Sequence, residues 1–306
     1  MSSEPDEGNQ FCVDVVIVTH NRCKLVLGCV KSVLSDGYEN KDIIVIDDAS
    51  GDGTTERLRA AFPNQIRVIV NARVQFPSAS RNRGMTNTGA RYLLCMDDDC
   101  VIPNGNVIQE LVGVLEKKRN VAAIAPAVHY TNGKMACCGA RVFPVYRPMR
   151  PRLNKRLLLT CDYVPGTIGM YRREALEKVN GWDRIRFPFQ AEDADLGLRL
   201  KEAGYEVVCA PWIKATHLKT GIVDIPNKER AYYAGMSRIM LYKSHLTKTA
   251  YTTWLMVANA PVIMFYVWFL MCHYRMRGLS LLRCYIRGLS AGLLMKAKPP
   301  RRTCIP

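Results

Sequence analysis

The sequence predicts an α/β fold, a mostly parallel sheet flanked by helices, followed by a basic helical region. Three observations carry this. Short apolar runs, the first two rich in β-branched residues (VDVVIVT at 13–19, IIVID at 43–47, YLLCM at 92–96), alternate with helical patterns, the rhythm of parallel strands joined by right-handed crossovers. The third of these runs ends in Asp97, Asp98 and Asp99, and open α/β sheets place their ligands at the carboxyl ends of strands. Finally, the charge is lopsided: of a net +16 over 306 residues, the stretch from Pro226 to Pro306 supplies +12, with thirteen Lys or Arg against the single acid Glu229.

Taken in order, a strand over Val13–Thr19 leads through His20-Asn21-Arg22 into a helix over Cys23–Leu34. A second strand ends at Asp47 and opens into Asp48-Ala49-Ser50-Gly51-Asp52-Gly53, before the helical pattern TERLRAAF. Ile66–Val70 reads as a third strand and Ser78–Ala90 as a helix feeding the strand that ends in the aspartates. A dinucleotide fold would carry its glycine fingerprint in the first strand-to-helix turn. That turn has no glycine, and no GxxxxGK[ST] phosphate loop occurs. Hydride-transfer and P-loop enzymes are thereby disfavoured.

Three adjacent carboxylates at the mouth of a buried strand repel one another unless a cation offsets them. Mg2+ binds through one or two carboxylates plus substrate phosphates, so Asp97 to Asp99 read as a metal-diphosphate site. The plainer reading is a solvated turn before Pro103-Asn104-Gly105. A second acidic group, Glu192-Asp193, opens a helix in which Glu192, Asp195 and Arg199 are expected on one face. The helix dipole favours an ionised Asp193, suited to accept a proton from a hydroxyl. Simple capping would also place acids there. No Ser/His/Asp or Cys/His arrangement competes.

The ordered set THNR, DDASGDGT, SRNRG, MDDDC, GTIGMYRREAL, GWD, EDADLGLRL and a terminal His217 resembles the inverting, family 2 nucleotide-sugar glycosyltransferases of GT-A fold, and among them the rhamnosyl- and galactofuranosyltransferase-like branch. The resemblance covers roughly residues 12–245. It implies that Asp97 and Asp99, with His217, hold Mg2+ or Mn2+, and that Asp97 and Asp98 face the donor. Thr19, Asn21, Arg22 and either Asp47 or Asp48 would line the base and ribose. Arg81 and Asn82 would sit near the diphosphate, Asp193 would be the general base, and Glu192 would help hold the acceptor. DDASGD replaces the commoner D-x-G-S-T-D loop and leaves the choice between Asp47 and Asp48 open.

Beyond residue 226, ERAYYAGMSRIMLYKSH reads as an amphipathic helix, and Thr249–Cys272 runs 24 residues without a charge. At 1.5 Å per residue that is about 36 Å, against a hydrocarbon core of about 30 Å. Pro261 in its middle and basic residues on both flanks favour a broken or re-entrant element with interfacial helices over a clean span. This apolar content points the basic end toward lipid rather than nucleic acid. Twelve scattered cysteines without a CxxC pair read as buried free thiols in a reducing compartment, and the acidic first residues offer no signal peptide. The expectation is a flexible acidic N-terminus (1–11), a transferase domain (12–225) and a membrane-attachment region (226–306). Such an enzyme would move sugar from a nucleotide donor to a lipid-linked or glycan acceptor at the cytoplasmic membrane face. A nucleotidyltransferase of related fold would have less use for Glu192-Asp193. A non-catalytic tethered binding module would need neither acidic group for chemistry.

Overall fold

The computed structural model describes residues 12–143, 147–151, 156–218 and 227–296. The expected acidic N-terminus lies outside them. Four parallel strands form the first half: β1 (Val13–Thr19), β2 (Lys41–Asp47), β3 (Arg67–Val70) and β4 (Tyr92–Asp97), in spatial order 3-2-1-4. Helices α1 (Cys23–Leu34), α2 (Thr54–Ala61) and α3 (Phe76–Thr86) connect them. The strand order reverses between β1 and β4, which is the topological switch point where such sheets bind ligands. Thr19 and Asp97 end the two strands there.

After β5 (Cys100–Val101) and α4 (Val107–Lys117), β6 (Val121–Tyr130) begins the second half. Three short strands follow, β7 (Met135–Cys137), β8 (Ala140–Arg141) and β9 (Arg147–Pro148), then β10 (Leu159–Thr160) and β11 (Ile168–Arg172). Strand β11 is wedged antiparallel between β4 and β6. Helices α5 (Arg173–Lys178) and α6 (Glu192–Glu202) lead to β12 (Glu206–His217), which pairs parallel with β6. The register of β12 against β6 shifts between Ala210 and Lys214, a bulge that aims its end, with His217, toward the aspartates. Helix α3 starts at Phe76 rather than Ser78 and stops at Thr86 rather than Ala90. Pro77 suits the first helical turn, and Asp14 accepts the backbone N–H groups of Gly89 and Ala90 (3.0 and 2.7 Å), fixing them outside the helix.

Two apolar layers sandwich the sheet. Val15, Ile17, Val45 and Leu94 pack against α1 and α4 on one face, and Val16, Ile44, Leu93 and Cys95 pack against the other. Strands buried on both faces read as continuous apolar runs, which explains their legibility. The cysteine reading needs one correction: Cys138 and Cys209, 71 residues apart, form a disulfide, while nine described cysteines are free. The pairing depends on β7 and the following turn folding over the sheet, which spacing alone cannot show.

Helix α7 (Lys228–His245) packs on α6 and on the long α9 (Asn259–Leu294), with α8 (Lys248–Thr253) and a π-helical turn (Trp254–Ala258) between. Pro261 does not break the apolar stretch into a re-entrant pair, as expected. It lies in the first turn of α9, and the strain of its missing N–H is taken up ahead of it, where the Asn259 N–H bonds Trp254 O in the wider π spacing. A Cβ on Gly288 would collide with the Tyr232 carbonyl, and one on Gly292 with the Met236 carbonyl, so glycines let the two helices approach this closely. Among the described residues no helix is long and apolar enough to cross a membrane.

Candidate active site

The two acidic groups, about a hundred positions apart in sequence, meet on a single guanidinium. Arg81, on α3 and only 3 % exposed, donates from Nη1 to Glu192 Oε1 and Asp193 Oδ1 and from Nη2 to Asp97 Oδ1, each at 3.0 Å. Its position is enforced from several sides. The Ser78 N–H and hydroxyl bond the backbone carbonyls of Pro188 and Phe187, bolting the start of α3 to the loop before α6. The Trp182 indole lies 6.0 Å from the guanidinium and donates to Asp193 at 3.4 Å. A Cβ at Gly166 would strike the ends of both Arg81 and Asp193 and displace them.

This crowding moves protons. Glu192 is pushed up to about 7, by burial first and then by Asp193, with Arg81 opposing. Asp97 is raised to about 6 by burial, with Arg81 pulling it down and Asp99, Asp193 and Asp98 pushing it up. Sequence reading grouped Glu192 with Asp195 and Arg199. In the structure Glu192 bonds Arg81, while Asp195, one turn on, bonds Arg199 Nε (2.7 Å) and His245 Nε2 (2.9 Å).

Around the aspartate run, Arg22 Nη1 bridges Asp98 Oδ1 and Asp99 Oδ2 at 3.0 and 2.9 Å, and Thr19 Oγ1 donates to Asp98 Oδ2 at 2.7 Å across the switch point. His217 Nε2 lies 3.1 Å from Asp99 Oδ1. Cis ligands of a cation held at about 2.1 Å stand about 3.0 Å apart, so Asp99 and His217 fit a divalent metal as a pair. Asp97, the expected third ligand, faces Arg81 instead, which leaves most of a metal's shell to substrate phosphates. Among the described residues the trio of possible ligand atoms packed within 4.8 Å is Cys12, Asp14 and Asp42. It sits at the far end of β1 and β2, where Asp14 is already engaged by Gly89, Ala90 and Arg173.

Other expected contacts are spent on structure. Asn82 exchanges both amide bonds with the backbone of Trp182 (2.7 and 2.9 Å). Asp47 is fully buried, its oxygens taken by Ser50 N–H and the Thr55 hydroxyl. Asp48 accepts from Asn71 Nδ2 and from the N–H groups of Gln75 and Phe76, at 2.6 to 2.9 Å. Asn21, with φ 52°, ties the first loop to Ser50 and Gly51. These residues brace the loops of the nucleotide side. Left-handed backbone at Ala49, Phe76, Gln190 and Ala191 (φ 60–67°) collects in the same loops, and such strain persists where the surroundings over-determine it. Sequence reading missed an aromatic wall beside them: Phe76 stacks on Phe189 (5.9 Å), and Tyr233 meets both edge-on (5.2 and 6.1 Å).

A parallel-sheet switch point lined by paired carboxylates and arginines defines a nucleotide-handling α/β transferase. Residues 14–179, more than half of the chain, match the family described as Glycosyl transferase family 2, and the chain belongs to that family. It is accordingly a transferase enzyme. It is 28 % identical over 197 residues to a protein named as glycosyltransferase EpsE of Bacillus subtilis, covering 63 % of this chain and 68 % of that one. It is 23 % identical over 202 residues to a poly-beta-1,6-N-acetyl-D-glucosamine synthase of Staphylococcus epidermidis, covering 65 % of this chain and 48 % of the relative. The fold is similar to that of a mannosyltransferase from Pyrobaculum calidifontis in complex with GDP-Man and Mn2+ (TM-score 0.60, 13 % identity, 95 % of this chain and 89 % of that one). It is also similar to GalNAc-T7 with UDP, GalNAc and Mn2+ (TM-score 0.58, 17 % identity, 78 % and 52 % covered). The GT-A expectation for the α/β domain therefore holds.

Proposed function

We propose that the chain is a metal-dependent, inverting glycosyltransferase that moves a sugar from a nucleotide donor to a lipid-linked or glycan acceptor at the cytoplasmic face of the cell membrane. The observation that carries the reaction is the convergence of Asp97 with Glu192 and Asp193 on Arg81. One acidic group lies on the side where a nucleoside diphosphate would leave, the other where an acceptor would enter. Asp99 and His217 would hold Mg2+ or Mn2+, which supplies positive charge to the departing diphosphate. Arg22 and Arg81 offer further donors to its oxygens.

Asp193 takes the proton of the acceptor hydroxyl. That oxygen then bonds the anomeric carbon from the face opposite the diphosphate, whose bond to the same carbon breaks, so configuration inverts. Glu192, buried and drawn toward its protonated form, spares Asp193 a second full charge and can offer a hydrogen bond to the acceptor. Membrane attachment is supported by the +12 charge beyond Pro226 and by exposed Met264, Phe265 and Trp268 on α9. The motif resemblance favours a rhamnosyl- or galactofuranosyl-type donor.

The test uses thermal protection by UDP or GDP with Mn2+, and turnover on membranes supplied with nucleotide sugars. Asp99→Ala should lose the metal-dependent protection. Asp193→Asn should keep the protection and lose about 10²- to 10⁴-fold in turnover. Full turnover by Asp193→Asn would remove it as the base, and identical melting of all proteins with and without nucleotide would favour a non-catalytic module.

A further inference from the structure

Arg238 projects from α7 with no carboxylate to meet it among the described residues. Its Nε donates to Asn259 Oδ1 at 2.8 Å, and its guanidinium carbon stands 5.5 Å from the Trp254 ring and 6.0 Å from that of Tyr242. Burial lowers its pKa, opposed only by Tyr285 and Tyr242. Three more deeply buried arginines are held by carboxylates or by several oxygens: Arg81 by three carboxylates, Arg172 by two backbone carbonyls and the Tyr92 hydroxyl, Arg186 by the carboxylate of Asp183.

The neighbourhood lacks acceptors in a second way. Four buried side-chain atoms among the described residues have no hydrogen-bond partner, and two of them are Tyr251 Oη and Trp254 Nε1. They lie three residues apart, their rings 6.1 Å centre to centre, and Trp254 is the ring under Arg238. Indole Nε1 can only donate. A cation beside two unsatisfied donors is the complement of anionic oxygen, and leaving such groups buried and unpaired is costly.

We propose that Arg238, Trp254 and Tyr251 form a binding site for the phosphate group of a membrane lipid, separate from the sugar-transfer site. The lipid source follows from the surroundings. Met256 and Val257, on the π-turn itself, are 73 % and 68 % exposed, placing apolar surface for a lipid tail next to the donors. The donors flank the π-turn Trp254–Ala258, an irregularity frequent at functional sites. It rests on the proposed membrane attachment, and adds to it a preference for one headgroup chemistry.

The experiment is co-sedimentation of the full chain with phosphatidylcholine vesicles carrying equal mole fractions of either phosphatidic acid or oleate. Wild type should bind the phosphatidic acid vesicles about tenfold more tightly or better, the scale of a charge-assisted hydrogen bond. Arg238→Gln, and Trp254→Phe, which keeps the ring and removes the donor, should bind both vesicle kinds alike at the oleate level. Equal binding of both kinds by wild type, or an undiminished preference in Arg238→Gln, overturns the site while leaving membrane attachment standing. No binding to any vesicle overturns both. If inorganic phosphate alone shifts Trp254 fluorescence as strongly as the phosphatidic acid vesicles do, the lipid assignment is overturned in favour of a free phosphate.

Discussion

Two arginines set the two ends of this molecule apart. Arg81 and Arg238 both lie against tryptophan rings, at 6.0 and 5.5 Å. Arg81 is enclosed by three carboxylates, whereas Arg238 has an asparagine and aromatic faces. In the α/β domain the charges that make chemistry also hold the fold together, because each carboxylate of the cleft is tied to an arginine or histidine from another element. The C-terminal helices are held by apolar contact and close glycine packing. Their sequence carries the surplus charge, +12 beyond Pro226.

The largest expected effect comes from exchanging each arginine for methionine. Arg81→Met strands buried carboxylates and should cost about 3–5 kcal/mol, the usual penalty for breaking a buried ion pair. Arg238→Met removes a charge without a counter-ion and should leave stability unchanged or raise it. Denaturant melts of the two variants decide this, and equal losses would erase the distinction. Next in size is Gly288→Val, which drives a side chain into the Tyr232 carbonyl. Overpacking of that kind should cost about 1–3 kcal/mol, read as a lower melting temperature with nucleotide protection retained.

The smallest effect is a pH slope. Glu192 rises from 4.5 to about 7 in the folded protein, so folding favours its protonated form. The stability this contributes is complete below pH 4.5 and is lost as the pH climbs through about 7. Glu192→Gln mimics the neutral acid and should melt with a shallower decline over that interval. An unchanged slope would place the proton elsewhere.

Much of the α/β domain was legible because strands covered on both faces leave no room for polar residues. The strand before the aspartates is legible in this way, whereas the helix opening at Glu192 is legible from the acids in its first turn. Arg81 was placed near the diphosphate by resemblance, but its pairing with residues 111 and 112 positions away arises from the crossing of α3 with the loop before α6. Asn82, next to it in sequence, points into the Gly181-Trp182 turn because adjacent helical residues project about 100° apart. The antiparallel insertion of β11 and the Cys138–Cys209 bond have no local signature either. Pro261 showed the reverse: its presence was read as a break, yet near the start of a helix a proline is tolerated at the expense of one wide turn.

The central claim is that both acidic groups serve one substrate. Trp182, whose indole donates to Asp193 at 3.4 Å, would report on the proposed base, and Mn2+, which the proposal puts at Asp99 and His217, is paramagnetic. Fluorine-labelled tryptophan spectra, recorded with UDP or GDP and either Mn2+ or diamagnetic Mg2+, measure whether the two are neighbours. The account predicts that Mn2+ with nucleotide broadens the Trp182 signal and that Asp99→Ala restores it. A sharp Trp182 signal under saturating Mn2+ and nucleotide would contradict it.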